Sequence, residues 1–464
     1  MRYHIYALSC EPCVQAEDIL GSLRTTMKRP LVKIMIIGLI IRIALMPLLT
    51  YGYDFTHWAL IIQHIQAGQG LYAIEGYWYP PVWGYILGAI SPFLSLFGVT
   101  DYGHLFDAAL SLQDLSWFNY TATLTSLAFN VVVKIPIVIA DVLVGYMIYK
   151  LILGMTGNEK KATYGFALWF LCPIVIYTSA VHGMFDSITV LFMVFSVYSV
   201  YKGKYFLAGA SLSVAVLTKV FPVYIIFALI AYLALKHKGE GKGLLAHLGK
   251  AAAGLLLMTL IIYIPLILDG TVMESLRFLT GRMENISSGA ASTDILDWLF
   301  MVAQKALVWM QPVTLIFAVI LAYMMYRKGS DKKDEYFFLC LMITTALIFL
   351  WSPEPRFMLM MLPFLIFFMV MYDRRFTLPY ILISVGMLFY SIVGHNFSLL
   401  LSLATYTNLL DAYHMVALVE WMNGSFQTGM LFIFMVTLLV TIAGLLLIFI
   451  YSIRYGKEAR KDEQ

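Results

Sequence analysis

The chain has 464 residues, of which 61% are hydrophobic and only 12% are charged, with a mean hydropathy of +0.82. Because about a quarter of the residues of a soluble domain carry a charge, this composition excludes an ordinary soluble protein. The net charge is +4 and no basic stripe is present, so nothing indicates nucleic-acid binding. Long apolar runs recur throughout, and we predict an all-α polytopic integral membrane protein.

Basic residues set the orientation of the first apolar run, 31–50, because Arg24, Lys28, Arg29 and Lys33 surround its start. This pattern predicts a cytoplasmic N-terminus and an outward exit of the run. Residues 1–26 differ from the rest of the chain, and we expect a cytoplasmic extension without ordered structure. No Lys or Arg occurs from Tyr51 to Val133, which favours an external position for that stretch.

The remaining apolar runs end alternately at basic clusters and at loops poor in Lys and Arg. This alternation predicts an even number of spans and two cytoplasmic termini. Twelve spans result if 82–98 does not cross the membrane, and fourteen result if it crosses and 121–153 is split at Lys134-Ile-Pro136. We divide the chain into the extension 1–26, a core of 27–370 that contains a first outer loop at 51–81, and C-terminal segments with a basic tail at 371–464.

The outer loop 51–81 contains the strongest catalytic candidate, Asp54. A carboxylate just beyond a membrane helix is either an interfacial helix-end acid or a general base that deprotonates an acceptor hydroxyl. His57 lies one helical turn further on and is a candidate to orient Asp54 or to contact substrate. Glu75 is a surface or substrate-binding acid. Tyr79 precedes Pro80 and Pro81 and marks a helix start or a substrate contact.

Charge-derived topology gathers further polar residues on the outer side. They are Asp54, Glu75, His182, Asp186, Lys219, Arg277, Arg282, Glu354, Arg356 and His395. Acids that transfer protons, together with cations that hold phosphate, suit transfer of a group from a phosphorylated lipid to an acceptor. This one-sided gathering favours an active site at the outer membrane face.

Each of these residues also has a structural interpretation. His182 and Asp186 share a helical face if 182–186 is helical, and otherwise form a capped turn with a bend at Gly183. Lys219 either snorkels from a helix end or holds a lipid phosphate at the tip of a hairpin broken near Pro222. Lys134 and Asp141, seven positions apart, are predicted to form a buried structural pair.

The corner Ser352-Pro-Glu354-Pro-Arg356 is stiffened by two prolines. Arg356 is a candidate phosphate ligand, with a structural salt bridge to Glu354 as the alternative. Arg277 and Arg282 lie in a polar loop and are either solvated or substrate ligands. The sequence contains no phosphate-binding loop, no HExxH, no GxSxG and no evident metal cluster, so we expect neither nucleotide hydrolysis nor a divalent metal requirement.

Several segments together resemble the GT-C fold glycosyltransferases, most closely the polyprenyl-phosphate-mannose-dependent mannosyltransferases of bacteria and archaea. The resemblance covers residues 30–370. It is carried by Asp54, Tyr79-Pro80-Pro81, Lys134-Ile-Pro-Ile-Val-Ile-Ala-Asp141, Cys172-Pro173, His182-Gly-Met-Phe-Asp186, Leu207-Ala-Gly209, Leu217-Thr-Lys219-Val-Phe-Pro222, Ser352-Pro-Glu-Pro-Arg356-Phe and Leu362-Pro363. The chain departs from the family pattern where Met184 replaces a Gln, where Cys172 replaces an Asn, and where Asp54 has no adjacent acid.

The resemblance implies a GT-C helical bundle of 12 to 14 transmembrane segments in the plasma membrane of a prokaryote. It implies transfer of a hexose, mannose first among the candidates, from a polyprenyl- or dolichyl-phosphate donor to a lipid-linked or glycan acceptor, with inversion. Asp54 would be the base, and Lys219 and Arg356 would hold the leaving phosphate. No cofactor, nucleic acid or obligate protein partner is implied.

A transporter or flippase of lipid-linked sugars is the alternative function. It would place charged residues deep within the spans and would show a strong inverted repeat. Only Lys134 and Asp141 meet the first condition, and the similarity between 131–146 and 215–232 is too short for the second. A scaffold without chemistry does not explain the polar residues gathered on one side. The sequence therefore favours the enzyme.

Overall fold

The structure is a computed structural model that describes residues 30–73, 77, 79–96, 99, 104–105, 123–276, 313–329, 332–350, 355–395, 398–407, 409–411, 414, 417–418, 421 and 425–461. The predicted extension 1–26 lies outside these residues. So do the predicted site residues Glu75, Arg277, Arg282 and Glu354.

The described chain is predominantly helical. The first helices are α1 (Pro30–Leu45), α2 (Gly52–Gln66), α3 (Pro81–Leu96), α4 (Leu127–Thr156), α5 (Glu159–Phe170), α6 (Pro173–Ile176), α7 (Asp186–Tyr201), α8 (Tyr205–Thr218), α9 (Ile226–Lys236) and α10 (Gly241–Leu268). They are followed by α11 (313–328), α12 (Lys333–Ala346), α13 (Leu362–Met371), α14 (Thr377–Gly394), α15 (Leu401–Tyr406) and α16 (Gln427–Lys461).

Short irregular helices and one small ladder connect these elements. A π-helix at Tyr177–His182 continues α6, and 3-10 helices lie at Leu71–Ala73, Phe221–Ile225, Leu347–Leu350, Pro355–Met360, Arg374–Phe376 and Ser398–Leu400. Strands β1 (His104–Leu105) and β2 (Thr123–Leu124) pair antiparallel, with His104 opposite Leu124. The ladder follows the predicted outer loop and leads directly into α4.

Four helices of the described chain are long and apolar enough to cross a membrane. They are Leu127–Thr156, Gly241–Leu268, Arg374–Gly394 and Thr428–Glu458. A fifth span results if the bent pair Glu159–Phe170 and Pro173–His182 counts as one. Several shorter apolar helices, such as α3 and α7, accompany them. The chain is thus a helical membrane protein, while the total of 12 to 14 spans stays a prediction.

Helix α4 runs unbroken from Leu127 to Thr156, although Pro136 lies inside it. Ser126 caps its N-terminus by accepting a hydrogen bond from the Phe129 amide, and Gly157 ends it in a left-handed conformation. The alternative in which 121–153 is split at Lys134-Ile-Pro136 is therefore wrong. A proline costs one backbone hydrogen bond, and neighbouring helices in a membrane bundle can tolerate that loss.

Two other local predictions are confirmed. Helix α3 begins at Pro81, where the missing N–H of a proline costs nothing. The 205–235 stretch breaks between α8 and the 3-10 helix that contains Pro222, with Lys219 extended at the break.

The predicted pair of Lys134 and Asp141 does not form, although both side chains are fully buried. Asp141 instead binds Arg42 of α1, with Oδ2 at 3.0 Å from Nε and 2.9 Å from Nη2. Ser187 of α7 donates to the other carboxylate oxygen at 2.5 Å. Asp141 therefore joins α1, α4 and α7, because a buried carboxylate needs both charge compensation and hydrogen bonds.

An aromatic cluster packs α2 against the turn that opens α7. Trp58, Trp83 and Phe185 are each at most 1% exposed. The Phe185 ring stacks on Trp83 at 4.8 Å and meets Trp58 edge-on at 5.8 Å. Burial of three large aromatic rings contributes strongly to stability. The cluster fixes the helix that carries Asp54 beside the turn that carries His182.

Candidate active site

A cavity of about 340 Å³ lies where the start of α2 meets the π-helix 177–182, the end of α14 and the N-terminal part of α16. Its polar lining consists of Asp54, Thr178, His182, Arg356, Ser391 and His395. The rest of the lining is mostly aromatic, from Tyr51, Tyr53, Tyr390, Gly394 and Phe434. A concave site with convergent polar groups and an aromatic wall is typical of a small-molecule or cofactor site.

Asp54 lies in the first turn of α2, where the unpaired amides of a helix N-terminus favour a negative charge. The residue is 8% exposed and faces the cavity. Next to Asp54 on the same helix, Phe55 and Trp58 are buried in the aromatic core. The helix therefore presents one carboxylate to the cavity and is anchored by the apolar side chains that adjoin it.

His182 ends the π-helix, and its Nε2 donates to Oδ2 of Asp54 at 2.5 Å. An ionised carboxylate only accepts, so Nε2 carries the proton. The chain then turns at Gly183, whose φ of 77° favours glycine. A Cβ at that position would lie 2.2 Å from the ring of Phe55, so the turn also needs glycine for space.

The pKa of Asp54 results from opposing effects. Burial alone would raise it, but the hydrogen bond and electrostatic contribution of His182, with a smaller contribution from the guanidinium of Arg356, lower it well below its usual range. The carboxylate is therefore ionised at any working pH. The site holds a negative charge that can accept a proton or attract a cation.

Arg356 follows Pro355 in the 3-10 helix 355–360, and its Nη1 lies 3.8 Å from Oδ2 of Asp54. Its side chain is 13% exposed and reaches the cavity. A guanidinium presents a planar set of donors that suits phosphate oxygens. Among the described residues that line the cavity, Arg356 is the one with a permanent positive charge.

His395 belongs to the site more closely than its sequence context indicates. Its ring stacks on Tyr51 at 4.0 Å and lies 4.3 Å from the ring of His182. Its Nδ1 shares a hydrogen bond of 2.6 Å with the hydroxyl of Tyr177. Burial, with electrostatic contributions from His182 and the guanidinium of Arg356, lowers the pKa of His395 well below its usual value, so the imidazole is neutral.

Lys219 and Asp186 form a separate buried ion pair that does not line the cavity. Lys219 Nζ lies 2.6 Å from Oδ1 of Asp186 and about 5 Å from the rings of Phe185 and Phe357. The interpretation that His182 and Asp186 share a helical face is wrong, because the chain turns at Gly183 and the two side chains bind different partners. The capped turn is confirmed.

The other predicted site residues in the described chain, His57 and Tyr79, do not line the cavity. His57 donates from Nδ1 to the Tyr53 carbonyl, 2.8 Å away, within its own helix. The histidine that binds Asp54 is thus His182, from a different element. Tyr79 packs on Phe185 with ring centroids 5.0 Å apart, and its carbonyl accepts from Tyr72.

Sequence reasoning missed the wall made by α14 and α16. The rings of Tyr390 and Phe434 lie 4.1 Å apart at this wall, and Ser391 and Gly394 lie beside them. In the sequence, both helices are uniformly apolar, and no motif distinguishes these cavity-lining positions from positions that would face lipid. The loop 395–428, which has no Lys or Arg, is the one signal in the sequence that this end of the helices belongs to the same side as Asp54.

No group of three or more His, Cys, Asp or Glu side chains in the described part of the chain is arranged to hold a metal ion. The cavity has the carboxylate of Asp54 but no second acid among its described lining residues. The arrangement can remove a proton with Asp54 and stabilise an anion with Arg356.

The model of glycosyltransferase family 87, a GT-C-like family, matches residues 117–353, slightly more than half of the chain. No curated protein matches this sequence. The matched region contains His182, Lys219 and Asp141, the buried partner of Arg42. Asp54, Arg356 and His395 lie outside it. The membrane helices and the match agree with the resemblance drawn from the sequence, and the chain belongs to glycosyltransferase family 87.

Proposed function

We propose that this glycosyltransferase moves a hexose, with mannose as the first candidate, from a polyprenyl- or dolichyl-phosphate donor to a hydroxyl of a lipid-linked or glycan acceptor. The reaction takes place at the outer face of a prokaryotic plasma membrane. The supporting observation is the ionised Asp54, which is held in the cavity by His182 at 2.5 Å with the guanidinium of Arg356 beside it. A base next to a cation suits a reaction that removes a proton and releases a phosphate.

In this reaction the acceptor hydroxyl attacks the anomeric carbon of the donor sugar. Its proton passes to Asp54 as the new carbon–oxygen bond forms. The bond between the anomeric carbon and the phosphate oxygen breaks, and the lipid phosphate leaves with the electron pair. A single displacement inverts the anomeric configuration and needs one base, which agrees with Asp54 as the one carboxylate among the described residues that line the cavity.

Arg356 has the charge and geometry to hold the leaving phosphate, and a pre-positioned cation stabilises charge that develops at the leaving oxygen. Nη1 of Arg356 lies 3.8 Å from Oδ2 of Asp54 in the structure. When a donor phosphate draws the guanidinium away, Asp54 loses one contribution that lowers its pKa and becomes a stronger base. Binding of the donor would thus increase the basicity of Asp54.

The remaining sequence-based roles stay proposals. Glu75, Arg277, Arg282 and Glu354 are candidates for substrate contacts, with His57 and Tyr79 beside them. A phosphate contact by Lys219 requires its bond to Asp186 to open when the donor binds. We propose a reaction without a metal, since the leaving group is a lipid phosphate rather than a nucleotide.

The test is transfer of radiolabelled sugar by the purified protein in lipid vesicles. Polyprenyl-phosphate-mannose and polyprenyl-phosphate-glucose are supplied as donors, with a panel of lipid-linked and soluble mannosides as acceptors. The wild type should transfer one sugar, and Asp54→Asn should lower kcat about 10²- to 10⁴-fold. The matched control Asp269→Asn removes an exposed acid at the end of α10 and should transfer at the wild-type rate.

Equal transfer by wild type and Asp54→Asn would contradict Asp54 as the base. Transfer from a nucleotide sugar alone, with no use of either lipid donor, would contradict the donor class. Retention of configuration in the product would contradict a single displacement.

A further inference from the structure

The segment 46–50 joins α1 to α2 and leads directly into the cavity at Tyr51. It lies outside regular helix, so its carbonyl groups need other partners. Side chains of α4 supply them. Asn130 Nδ2 donates to the Pro47 carbonyl at 3.0 Å, and Lys134 Nζ donates to the carbonyls of Met46 at 2.9 Å and Leu49 at 2.7 Å.

The ammonium group of Lys134 also donates to Thr50 Oγ1 at 2.9 Å, so its three N–H groups each have an acceptor in this one segment. The residue is fully buried, and no carboxylate within the described ranges lies at salt-bridge distance from it. Two of the acceptors are carbonyls just beyond the end of α1, where the helix dipole favours a cation. A buried charge without an acidic partner is costly, so this placement calls for a functional explanation.

The Lys134 side chain also lies close to the residues that follow Asp54 and His182 in the chain. Its Nζ is 4.9 Å from the centre of the Phe55 ring, and Phe55 follows Asp54 in α2. A Cβ added at Gly183 would lie 2.2 Å from that ring and 3.1 Å from Cε of Lys134. Gly183 in turn follows His182. Lys134 therefore contacts the segment before Asp54, the ring after Asp54 and the turn after His182.

We infer that Lys134 is a positioning residue for the transfer reaction. It holds the segment 46–50, which precedes Asp54, and the turn at Gly183, which follows His182, in a fixed position relative to each other. The role of Lys134 in the reaction rests on the proposed function, whereas its role in holding these two segments together does not. Lys134 does not line the cavity, so it acts through Asp54 and His182. A hydrogen bond as short as the one between those residues is sensitive to small displacements of either backbone.

The first variant is Lys134→Met, which keeps the length of the side chain and removes its three donors. The matched control is Lys150→Met, on the exposed side of the same helix. The direct readout is the low-field proton of the hydrogen bond between His182 and Asp54, recorded by NMR on protein labelled with ¹⁵N-histidine and assigned by its loss in Asp54→Asn. We expect the signal to move upfield or disappear in Lys134→Met and to stay in place in Lys150→Met.

The kinetic readout uses polyprenyl-phosphate-mannose as donor. Lys134→Met should lower kcat by about 10- to 100-fold with KM changed less than about twofold, because misplacing a base by a fraction of an ångström mainly affects the chemical step. A merely structural role would lower the yield of folded protein and leave the kcat of the folded fraction unchanged.

Thr50→Val is a milder variant that removes one of the three acceptors and keeps the side-chain volume, in case Lys134→Met does not fold. It should lower kcat by about two- to fivefold, and it should have no further effect when combined with Lys134→Met, since its partner is already gone. An unchanged low-field proton in Lys134→Met, or independent additive effects of the two variants on kcat, would overturn the inference. The NMR experiment needs no substrate, so failure of the proposed donor would not be mistaken for failure of this inference.

Discussion

His182 and Asp54 are 128 positions apart in sequence, yet Nε2 of one lies 2.5 Å from Oδ2 of the other. His182 lies inside the region that matches the family model, and Asp54 lies before it. Arg356 and His395 complete the cavity from beyond the matched region. The hydrogen bond therefore joins the matched part of the chain to helix α2, which carries the base.

The first prediction concerns the pH dependence of transfer. His182→Phe keeps a ring of similar size but removes the hydrogen bond and charge that lower the pKa of Asp54, so burial would then raise that pKa. A base is lost when it becomes protonated, so the acid limb of kcat/KM against pH should move to higher pH. The control His414→Gln changes an exposed histidine and should leave the limb in place.

The same pair affects stability with a defined sign. A carboxyl whose pKa is lowered on folding stabilises the fold above its unfolded pKa of about 3.9, and that stabilisation is lost only as the pH falls through the folded value. Wild type should therefore keep this contribution throughout the neutral range.

The kinetic measurement can contradict this account of the pair. If the acid limb of kcat/KM against pH stays in place in His182→Phe, His182 does not control the ionisation of Asp54.

The second prediction concerns the turn after His182. Gly183→Ala forces a left-handed conformation on alanine and brings a Cβ to 2.2 Å from Phe55. Gly157→Ala is the matched control, since Gly157 has a φ of 63° but no atom within 4 Å of its added Cβ. Gly157→Ala should cost about 1 kcal/mol of unfolding free energy and Gly183→Ala about 2–4 kcal/mol, as measured by thermal unfolding in detergent.

Gly183→Ala should also lower kcat of the folded fraction, because the displaced turn carries His182 away from Asp54. If both glycine variants lose the same stability and keep the same kcat, the close packing on Phe55 has no role in the site.

Much of the architecture follows from local sequence patterns. The start of α3 at Pro81, the break near Pro222 and the bend at Gly183 were each predicted, because proline and glycine act within a few residues of themselves. Asp54 is a candidate from the sequence because an acid just beyond a membrane helix can be wet on one side and sheltered on the other. These features need no knowledge of which helices are neighbours.

The partners of buried charges could not be predicted in the same way. Spacing along one helix favoured a pair of Lys134 and Asp141, whereas each binds a group from α1 or its exit segment. His57 was the nearer candidate to orient Asp54, but the residue that does so lies on another element. Contacts between distant segments depend on how the helices pack, and helical spacing reports only which residues share a face.

The third prediction separates two roles for Lys219. The ion pair with Asp186 is buried, so removing either charge leaves the other uncompensated. We expect Lys219→Met and Asp186→Asn both to lower the free energy of unfolding by about 3–5 kcal/mol, with donor KM of the folded fraction changed less than about twofold. A rise in donor KM of more than about tenfold in Lys219→Met alone would instead support a phosphate contact.

The fourth prediction concerns the buried contact between Arg42 and Asp141. Arg42→Met should destabilise the protein by about 3–5 kcal/mol, because the carboxylate of Asp141 keeps its hydrogen bond from Ser187 but loses its counter-charge. The double variant Arg42→Met with Asp141→Asn should lose less than the single variant, since no isolated charge remains. Thermal unfolding of Arg42→Met, Asp141→Asn and the double variant checks this, and additive losses would show that the two residues act independently.

The last prediction concerns Arg356, which we propose to hold the leaving phosphate. Arg356→Lys keeps the charge but loses the planar set of donors, so we expect kcat/KM for polyprenyl-phosphate-mannose to fall by about 10- to 100-fold. Affinity for the product, polyprenyl phosphate, should fall in parallel, because phosphate is the group that Arg356 recognises in both molecules. Arg327→Lys alters an exposed arginine at the end of α11 and should change neither quantity. A loss of transfer without loss of product affinity would mean that Arg356 acts on Asp54 through their 3.8 Å contact rather than on the phosphate.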